Sequence, residues 1–220
     1  MNEPTRIAGI VHATRGPCAW ACAAVWSPDE RSLIAAAVGR ENIPLPYRPG
    51  RLAYTVSPAL TAALLHLPPD ARPDALIVHG HGTAHPRRFG LACHVGAMHR
   101  LPTVGVAEKL LVGEHEKVPA ERGAWRPVMV DGEVVGAALR TRAEAKPLYV
   151  SPGWGLDLEE AVALVRAATG RFRWPEPIRH ARMRLKAAIR HRLELHRRSR
   201  QRRLPAGPIL PVRPSHPHTS

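Results

Sequence analysis

The residues best suited to chemistry lie in one stretch, residues 75–96, which reads ALIVHGHGTAHPRRFGLACHVG. Its apolar start is typical of a buried strand and its end is typical of a helix, so the polar residues between them fall at the carboxyl end of a strand. His79 and His81 alternate at that strand end, and His85 follows in the loop. Because imidazole suits zinc, nickel or iron better than magnesium, the three histidines form a candidate transition-metal site. Ordinary polar contacts are the alternative interpretation, and acid–base work by His79 is a third.

The cysteines and the apolar runs indicate the compartment. Cys18, Cys22 and Cys93 are odd in number and contain no CxxC pair, so we expect neither a disulfide framework nor a zinc site from them. The sequence has no charged-then-apolar leader and no uncharged run of about 18 residues. We therefore expect a cytoplasmic protein with no membrane span.

The positive charge is concentrated near the C-terminus. The formal net charge is +14, and residues 171–220 hold fourteen Lys or Arg against two Glu. Such a concentration favours contact with a polyanion, since each neutralised phosphate releases counterions. A solvated basic helix, or a helix that binds a protein partner, is the alternative.

The elements that position the histidines follow from apolar periodicity. Three strands are predicted at residues 6–13, 20–27 and 32–39, then a helix at 58–67, a strand at 74–80, a helix at 89–100 and a strand at 102–107. A hairpin around Asp131 and Gly132, a short strand at 148–151 and a helix at 157–169 complete a domain over residues 1–175. Residues 176–200 predict a basic helix with Leu185, Ile189 and Leu193 in one row, and the proline-rich residues 201–220 predict a disordered tail.

Several motifs carry a family resemblance. Besides HGHGTAHPRRFG, the chain has PYRPGRLA at residues 46–53, PAL at 58–60, PTVGVA at 102–107, GAALRTR at 136–142 and KPLYVSPG at 146–153. In this order and spacing they resemble the endonuclease V family. The resemblance implies a ribonuclease H-like α/β fold, with a mixed sheet flanked by helices. It also implies cleavage of DNA or RNA one bond beyond a deaminated purine, with Mg²⁺ as the cofactor.

The residues that the family uses for cleavage are replaced in this chain. Three family carboxylates correspond to Val11, Val56 and His79; the family lysine after G-V-A corresponds to Glu108, and the family histidine after V-S-P-G to Trp154. Magnesium needs several hard oxygen ligands, so we expect no bound cofactor and no ordinary cleavage. A register slip of one residue would put His12 in place of Val11, but on a regular strand His12 points to the other face.

The residues that the resemblance assigns to recognition are retained. Tyr47 corresponds to an aromatic wedge that enters the duplex. The pocket for the extruded base would use Gly50, Leu52, Gly80, Gly82, His85 and Leu111, and phosphate contacts would come from Arg87, Arg88, Arg140 and Arg142. For Tyr47 the alternative is a loop aromatic packed on the sheet, and for the arginines it is ordinary surface charge.

The sequence therefore predicts a catalytically degenerate homologue that binds DNA or RNA, with a deaminated, inosine-type base as a candidate target. An enzyme with remodelled histidine chemistry on a purine nucleotide or nucleic acid is the second hypothesis. An active nuclease that nicks 3′ to deoxyinosine, through ligands placed elsewhere in the chain, is the third.

Overall fold

The computed structural model describes residues 4–43 and 52–202, and these residues form an eight-stranded mixed sheet with four α-helices. The strands are β1 (Ile7–Arg15), β2 (Cys18–Ser27), β3 (Ser32–Asn42), β4 (Ala75–His79), β5 (Thr103–Ala107), β6 (Trp125–Val130), β7 (Glu133–Leu139) and β8 (Leu148–Trp154). The helices are α1 (Leu52–Leu65), α2 (Leu91–His99), α3 (Leu158–Ala167) and α4 (Glu176–Arg202), with a 3₁₀ turn at Pro69–Ala71. Tyr47, Gly50 and the proline-rich tail after residue 202 lie outside the described residues.

The strand order β3-β2-β1-β4-β5-β8-β7-β6 confirms the ribonuclease H-like fold class. β1, β2 and β3 form an antiparallel meander, whereas β4 pairs parallel to both β1 and β5. The predicted hairpin forms β6 and β7, and β8 pairs antiparallel to β5, so all three join the same sheet. The carboxyl ends of β1, β4 and β5 therefore meet at one edge, where ligands bind in open α/β sheets.

Helices cover the meander on both faces, which explains why its strands read as apolar runs. On one face Ile10, Val78 and Val56 of α1 share a core cluster, and on the other Ile7, Ile77 and Ile178 of α4 share a second. β2 is rich in alanine, and its small side chains let the helices pack closely on both sides. No helix in residues 4–43 and 52–202 is both long and apolar enough to cross a bilayer.

Two helices differ from the sequence prediction. α1 is already helical at Leu52, six residues before the predicted start, and it contains Pro58 in its interior. A proline there removes one hydrogen bond of the helix, so local propensity predicts a boundary that burial of Val56 and Ala59 on the sheet overrides. α4 is an integral part of the core in its first three turns: Leu185 is buried, whereas Leu193 lies farther along and is exposed.

Gly9 of β1 sets the distance between α4 and the sheet. A Cβ at this position would collide with the backbone of Pro177 in the first turn of α4. The fold therefore requires glycine here because two backbones touch, and not because of an unusual dihedral angle.

We expect Gly9→Ala to lower the free energy of unfolding by about 1–3 kcal/mol, since α4 must move away from β1. Urea unfolding followed by circular dichroism measures the change. Gly16→Asn is the control, because a Cβ on Gly16 meets nothing within 4 Å and asparagine tolerates its φ of 55°. Equal stability of Gly9→Ala and the wild type would show that α4 docks elsewhere.

Candidate functional site

The carboxyl edge of the parallel strands brings together a charged cluster. His79 is the last residue of β4, and Glu108 directly follows the end of β5. Arg182 reaches the same point from α4, and Trp174 from the segment before that helix. Residues from four separate parts of the chain thus meet where the sheet topology predicts a ligand site.

The three charged or titratable side chains are in direct contact. His79 Nε2 lies 3.0 Å from Glu108 Oε2 and 3.1 Å from Arg182 Nη2. Arg182 Nη2 lies 3.7 Å from the same carboxylate oxygen, so this pair is an ion pair without a hydrogen bond. The imidazole nitrogen can donate to Glu108 when it carries a proton or accept from Arg182 when it does not, but it cannot do both at once.

Trp174 holds the cluster in place. The guanidinium carbon of Arg182 lies 4.0 Å from the Trp174 ring centroid, which is a cation–π contact. The imidazole of His79 meets the same indole edge-on, with 5.3 Å between ring centroids. Because the indole packs against both side chains, the guanidinium is ordered before any ligand arrives.

The electrostatics of the cluster favour a charged carboxylate. Burial alone would raise the pKa of Glu108, but the hydrogen bond from His79 and the charges of His79 and Arg182 outweigh it and lower the pKa.

The ring of His12 lies 6.4 Å from that of His79. Burial, together with the charge of His79, lowers the pKa of His12 to about 4, so His12 is neutral at pH 7.

This set of side chains does not fit a magnesium ion. Val11 and Val56, at two expected carboxylate positions, are 2% and 0% exposed and belong to the apolar clusters of opposite sheet faces. Among residues 4–43 and 52–202, Glu108 is the single carboxylate in contact with His79, and a guanidinium already lies beside it. Hard divalent cations need several oxygen ligands, and a fixed positive charge repels them. We therefore assign no step to the ion.

The histidines of the loop do not form a metal centre with His79. His81 Nε2 lies 3.0 Å from the carbonyl oxygen of Lys109, and His85 Nδ1 accepts the backbone N–H of Arg87. Within the described ranges, no group of three or more His, Cys, Asp or Glu is arranged to hold a metal ion. Burial lowers the pKa of both His81 and His85, as expected for neutral imidazoles with local partners.

Trp154, which corresponds to the family histidine after V-S-P-G, does not lie at this edge. Trp154 pairs with Thr103 at the start of β5, whereas Glu108 follows the end of that strand. Five residues at about 3.3 Å each separate Thr103 from Glu108, which puts Trp154 and Glu108 about 17 Å apart along the sheet. Trp154 packs against Gly96 of α2, and the side chain that α4 actually brings to His79 is Arg182.

The two glycines of the expected base pocket have structural roles. The Gly82 N–H donates to Ser151 Oγ, and a Cβ on Gly82 would collide with the backbone of Pro152 in β8. The Gly80 N–H donates to the carbonyl oxygen of Val106. Both N–H groups therefore have acceptors within the protein, and contact of Gly80 or Gly82 with a base stays a prediction.

The other expected pocket residues are only partly described. Leu52 and Leu111 are exposed, at 37% and 49%, which is compatible with contact to a ligand. Tyr47 and Gly50 lie outside the described residues, so the wedge and the pocket stay predictions.

The four arginines expected to contact phosphate differ in what they bind. The guanidinium of Arg140 donates to the carbonyl oxygens of Val118, Pro119 and Ala145, so it stabilises a loop and is not available to a phosphate. Arg88 Nη2 lies 3.3 Å from Glu133 at the surface, and such a pair exchanges readily with solvent. Arg87 and Arg142 are exposed.

Sequence reasoning missed two residues of the site, Arg182 and Trp174, and it missed that the His12 ring lies near the His79 ring. Arg182 is one of many arginines in α4, and its residue type does not distinguish it from solvated neighbours. The apolar row of α4 could have identified it. Ile178, Ala181 and Leu185 face the sheet, and position 182 borders that face, so a charged residue there lies next to the sheet.

Comparison with known proteins gives a consistent result. The family model described as Endonuclease V matches residues 2–183 of this chain. The endonuclease V of Roseiflexus castenholzii is 43% identical over 175 residues, which cover 80% of this chain and 78% of that protein.

Solved structures agree with the family match. The crystal structure of the endonuclease V of Streptomyces avermitilis has a TM-score of 0.81 and 36% identity, covering 86% of this chain and 84% of its own. A structure of Ciona intestinalis endonuclease V (D234N) in complex with a 23mer DNA containing an inosine has a TM-score of 0.75. At 22% identity, over 87% of this chain and 88% of that one, it supports the fold.

The lowered pKa of Glu108 predicts a pH-dependent contribution to stability. A carboxyl whose pKa falls on folding stabilises the protein above its unfolded pKa and loses that effect as pH falls through the folded value. We expect Glu108→Gln to lower the free energy of unfolding at pH 7 by up to about 1 kcal/mol, since the side chain is 41% exposed, and we expect this difference to shrink as the pH falls through the folded-state pKa.

Urea titrations between pH 3 and pH 7 measure this difference. Glu133→Gln is the matched control, because its carboxylate also pairs with an arginine but is 76% exposed. If the difference in free energy of unfolding between Glu108→Gln and the wild type is the same at every pH, it comes from lost packing, and the electrostatic role of Glu108 is contradicted.

Proposed function

The chain belongs to the endonuclease V family, and from this premise we propose that it binds nucleic acid without carrying out magnesium-dependent cleavage. The observation that carries the proposal is the guanidinium of Arg182, 3.7 Å from Glu108 and 3.1 Å from His79, at the edge where the family resemblance implies a metal ion. A fixed cation beside one carboxylate is the opposite of the oxygen cage that magnesium requires.

The buried valines support the same proposal. A vacated carboxylate pocket that stayed polar would leave room for a substitute ligand, but Val11 and Val56 are packed into the two apolar clusters. Apolar packing removes the cost of holding clustered negative charges without a cation. Acid–metal chemistry at this edge would therefore require rebuilding the core.

Two observations support nucleic-acid binding: the positive charge of the C-terminal region and the ligand of a related structure. Residues 171–220 hold most of the excess of Lys and Arg, and the exposed face of α4 displays Arg184, Arg190 and Arg192 to solvent. A related structure holds DNA that contains an inosine, which makes nucleic acid with a deaminated base the candidate ligand. Tyr47, with Pro46 and Pro49 beside it, would enter the stack as the wedge, and unstacking a base costs a few kcal/mol that phosphate contacts must offset.

A second candidate function rests on the contact between His79 and Glu108. A carboxylate 3.0 Å from an imidazole fixes the orientation of the ring and can exchange a proton with it, which is the arrangement of an acid–base catalyst. Such an enzyme would act on a purine nucleotide or nucleic acid, with or without a transition metal. Against it, the same imidazole nitrogen is also within hydrogen-bond distance of Arg182, which restricts proton transfer.

Fluorescence anisotropy with labelled oligonucleotides tests the first proposal. We expect the protein to bind inosine-containing DNA or RNA at about 100 mM salt, with equal affinity in EDTA and in Mg²⁺ and with a linear fall of log K against log salt. Oligonucleotides that carry adenosine in place of inosine measure base preference. The same samples, run on denaturing gels after long incubation in Mg²⁺ or Mn²⁺, should remain uncut, with the Streptomyces avermitilis endonuclease V as the assay control. Magnesium-dependent nicking, or no binding to any of the oligonucleotides, overturns the proposal.

Elemental analysis and His79→Ala separate the two candidate functions. For a binding protein we expect substoichiometric zinc, nickel and iron in the purified chain. We also expect no reaction of the wild type on purine nucleotides or oligonucleotides, and therefore no difference in activity between the wild type and His79→Ala. A stoichiometric metal that is lost in His79→Ala, or turnover that requires His79, would establish the enzyme instead.

A further inference from the structure

A groove of about 300 Å³ runs between β1 and α4 beside the charged cluster. Its apolar floor is formed by Val11, Ala13, Leu185 and Ile189, and its polar lining by His12, Arg15, His79, Arg182 and Lys186. The groove thus opens at the edge of the sheet where the parallel strands end. It is absent from the sequence interpretation, because no motif places β1 next to α4.

The charge of this groove has one sign. Of the described residues, Arg15, Arg182 and Lys186 line it and no acidic residue does, while Glu108 contacts Arg182 from outside the groove. Arg15 and Lys186 are exposed, and neither has an ion-pair partner among the residues that the structure describes. Three cations at the walls of an apolar trough give a positive potential that concentrates anions.

Arg182 is the most ordered of these cations. Its guanidinium lies against the indole of Trp174 and within 3.7 Å of Glu108, so the side chain loses less conformational freedom on binding than a free surface arginine does. Because 3.7 Å is too long for a hydrogen bond, the N–H groups of the Arg182 guanidinium do not donate to Glu108. A planar fork of donors matches two oxygens of a phosphate.

We propose that this groove binds a phosphate of the nucleic-acid backbone without a metal, with Arg182 as the resident cation and Arg15 and Lys186 as the charges at the rim. The apolar floor would contact the sugar beside the phosphate. This inference rests on the proposed function, and it names the place where the backbone is held. Because the positive charge is covalently part of the chain, chelators have no effect on binding through the groove.

Salt-dependent binding of full-length variants tests the groove. Arg182→Met removes the charge and keeps an apolar stem against Trp174, whereas Arg72→Gln removes an exposed charge just before β4, at the opposite edge of the sheet. With a labelled oligonucleotide of the kind that wild type binds, we expect Arg182→Met to weaken binding about 5- to 10-fold near 100 mM salt. The slope of log K against log salt should fall by about 0.7–0.9, as for one lost phosphate contact. Arg72→Gln should retain the wild-type affinity and slope.

The double variant Arg15→Gln with Lys186→Gln provides a second measurement, since both side chains are exposed and their replacement leaves the core intact. It should lower the slope as well, and circular dichroism checks that each variant is folded. Wild-type affinity and slope in both Arg182→Met and the double variant would overturn the groove as a phosphate site while the proposed function stands. Failure of the wild type itself to bind would overturn the proposed function and the groove together. Arg182→Lys should recover part of the affinity, because the charge returns but the fork does not.

Discussion

The position of one guanidinium determines what the carboxyl edge of this sheet can do. Arg182 lies between Trp174, Glu108 and His79, and the positive charge it brings is permanent. A site built around a dissociable ion changes its charge with ion concentration and with chelators. A site built around an arginine has the same charge under all ordinary conditions, and the neighbouring groups adjust to it, as the lowered pKa of Glu108 shows.

The fold does not depend on the residues that define the family's chemistry. The eight-stranded sheet is held by apolar clusters on two faces, and valines at positions 11 and 56 contribute to these clusters. Carboxylates at such positions are tolerated only when a cation compensates them. Valine at these positions therefore avoids a local electrostatic cost, and the scaffold does not need carboxylates there.

Local sequence patterns were sufficient for most of the fold and for part of the site. Continuous apolar runs predicted the meander, and the strand–loop–helix pattern around His79 placed it correctly at a carboxyl edge, next to the end of β5 and Glu108. A motif reports order along the chain and not which end of a strand its residues occupy, so it did not locate Trp154 relative to His79. Arg182 was missed because α4 is rich in arginine throughout, and the border of its apolar face is a weak sign of a long-range contact with β4.

The depth of the two valines also bears on how this protein could change in evolution. Restoring an aspartate at position 11 or a glutamate at position 56 would place a charge in a packed core before any ion could neutralise it, and an aspartate at position 79 would pair with Arg182. Each single step back is thus less stable than the present protein or leads to a salt bridge in place of a ligand. Carboxylates at these positions would therefore have to appear together with the removal of the Arg182 charge, and not by separate substitutions.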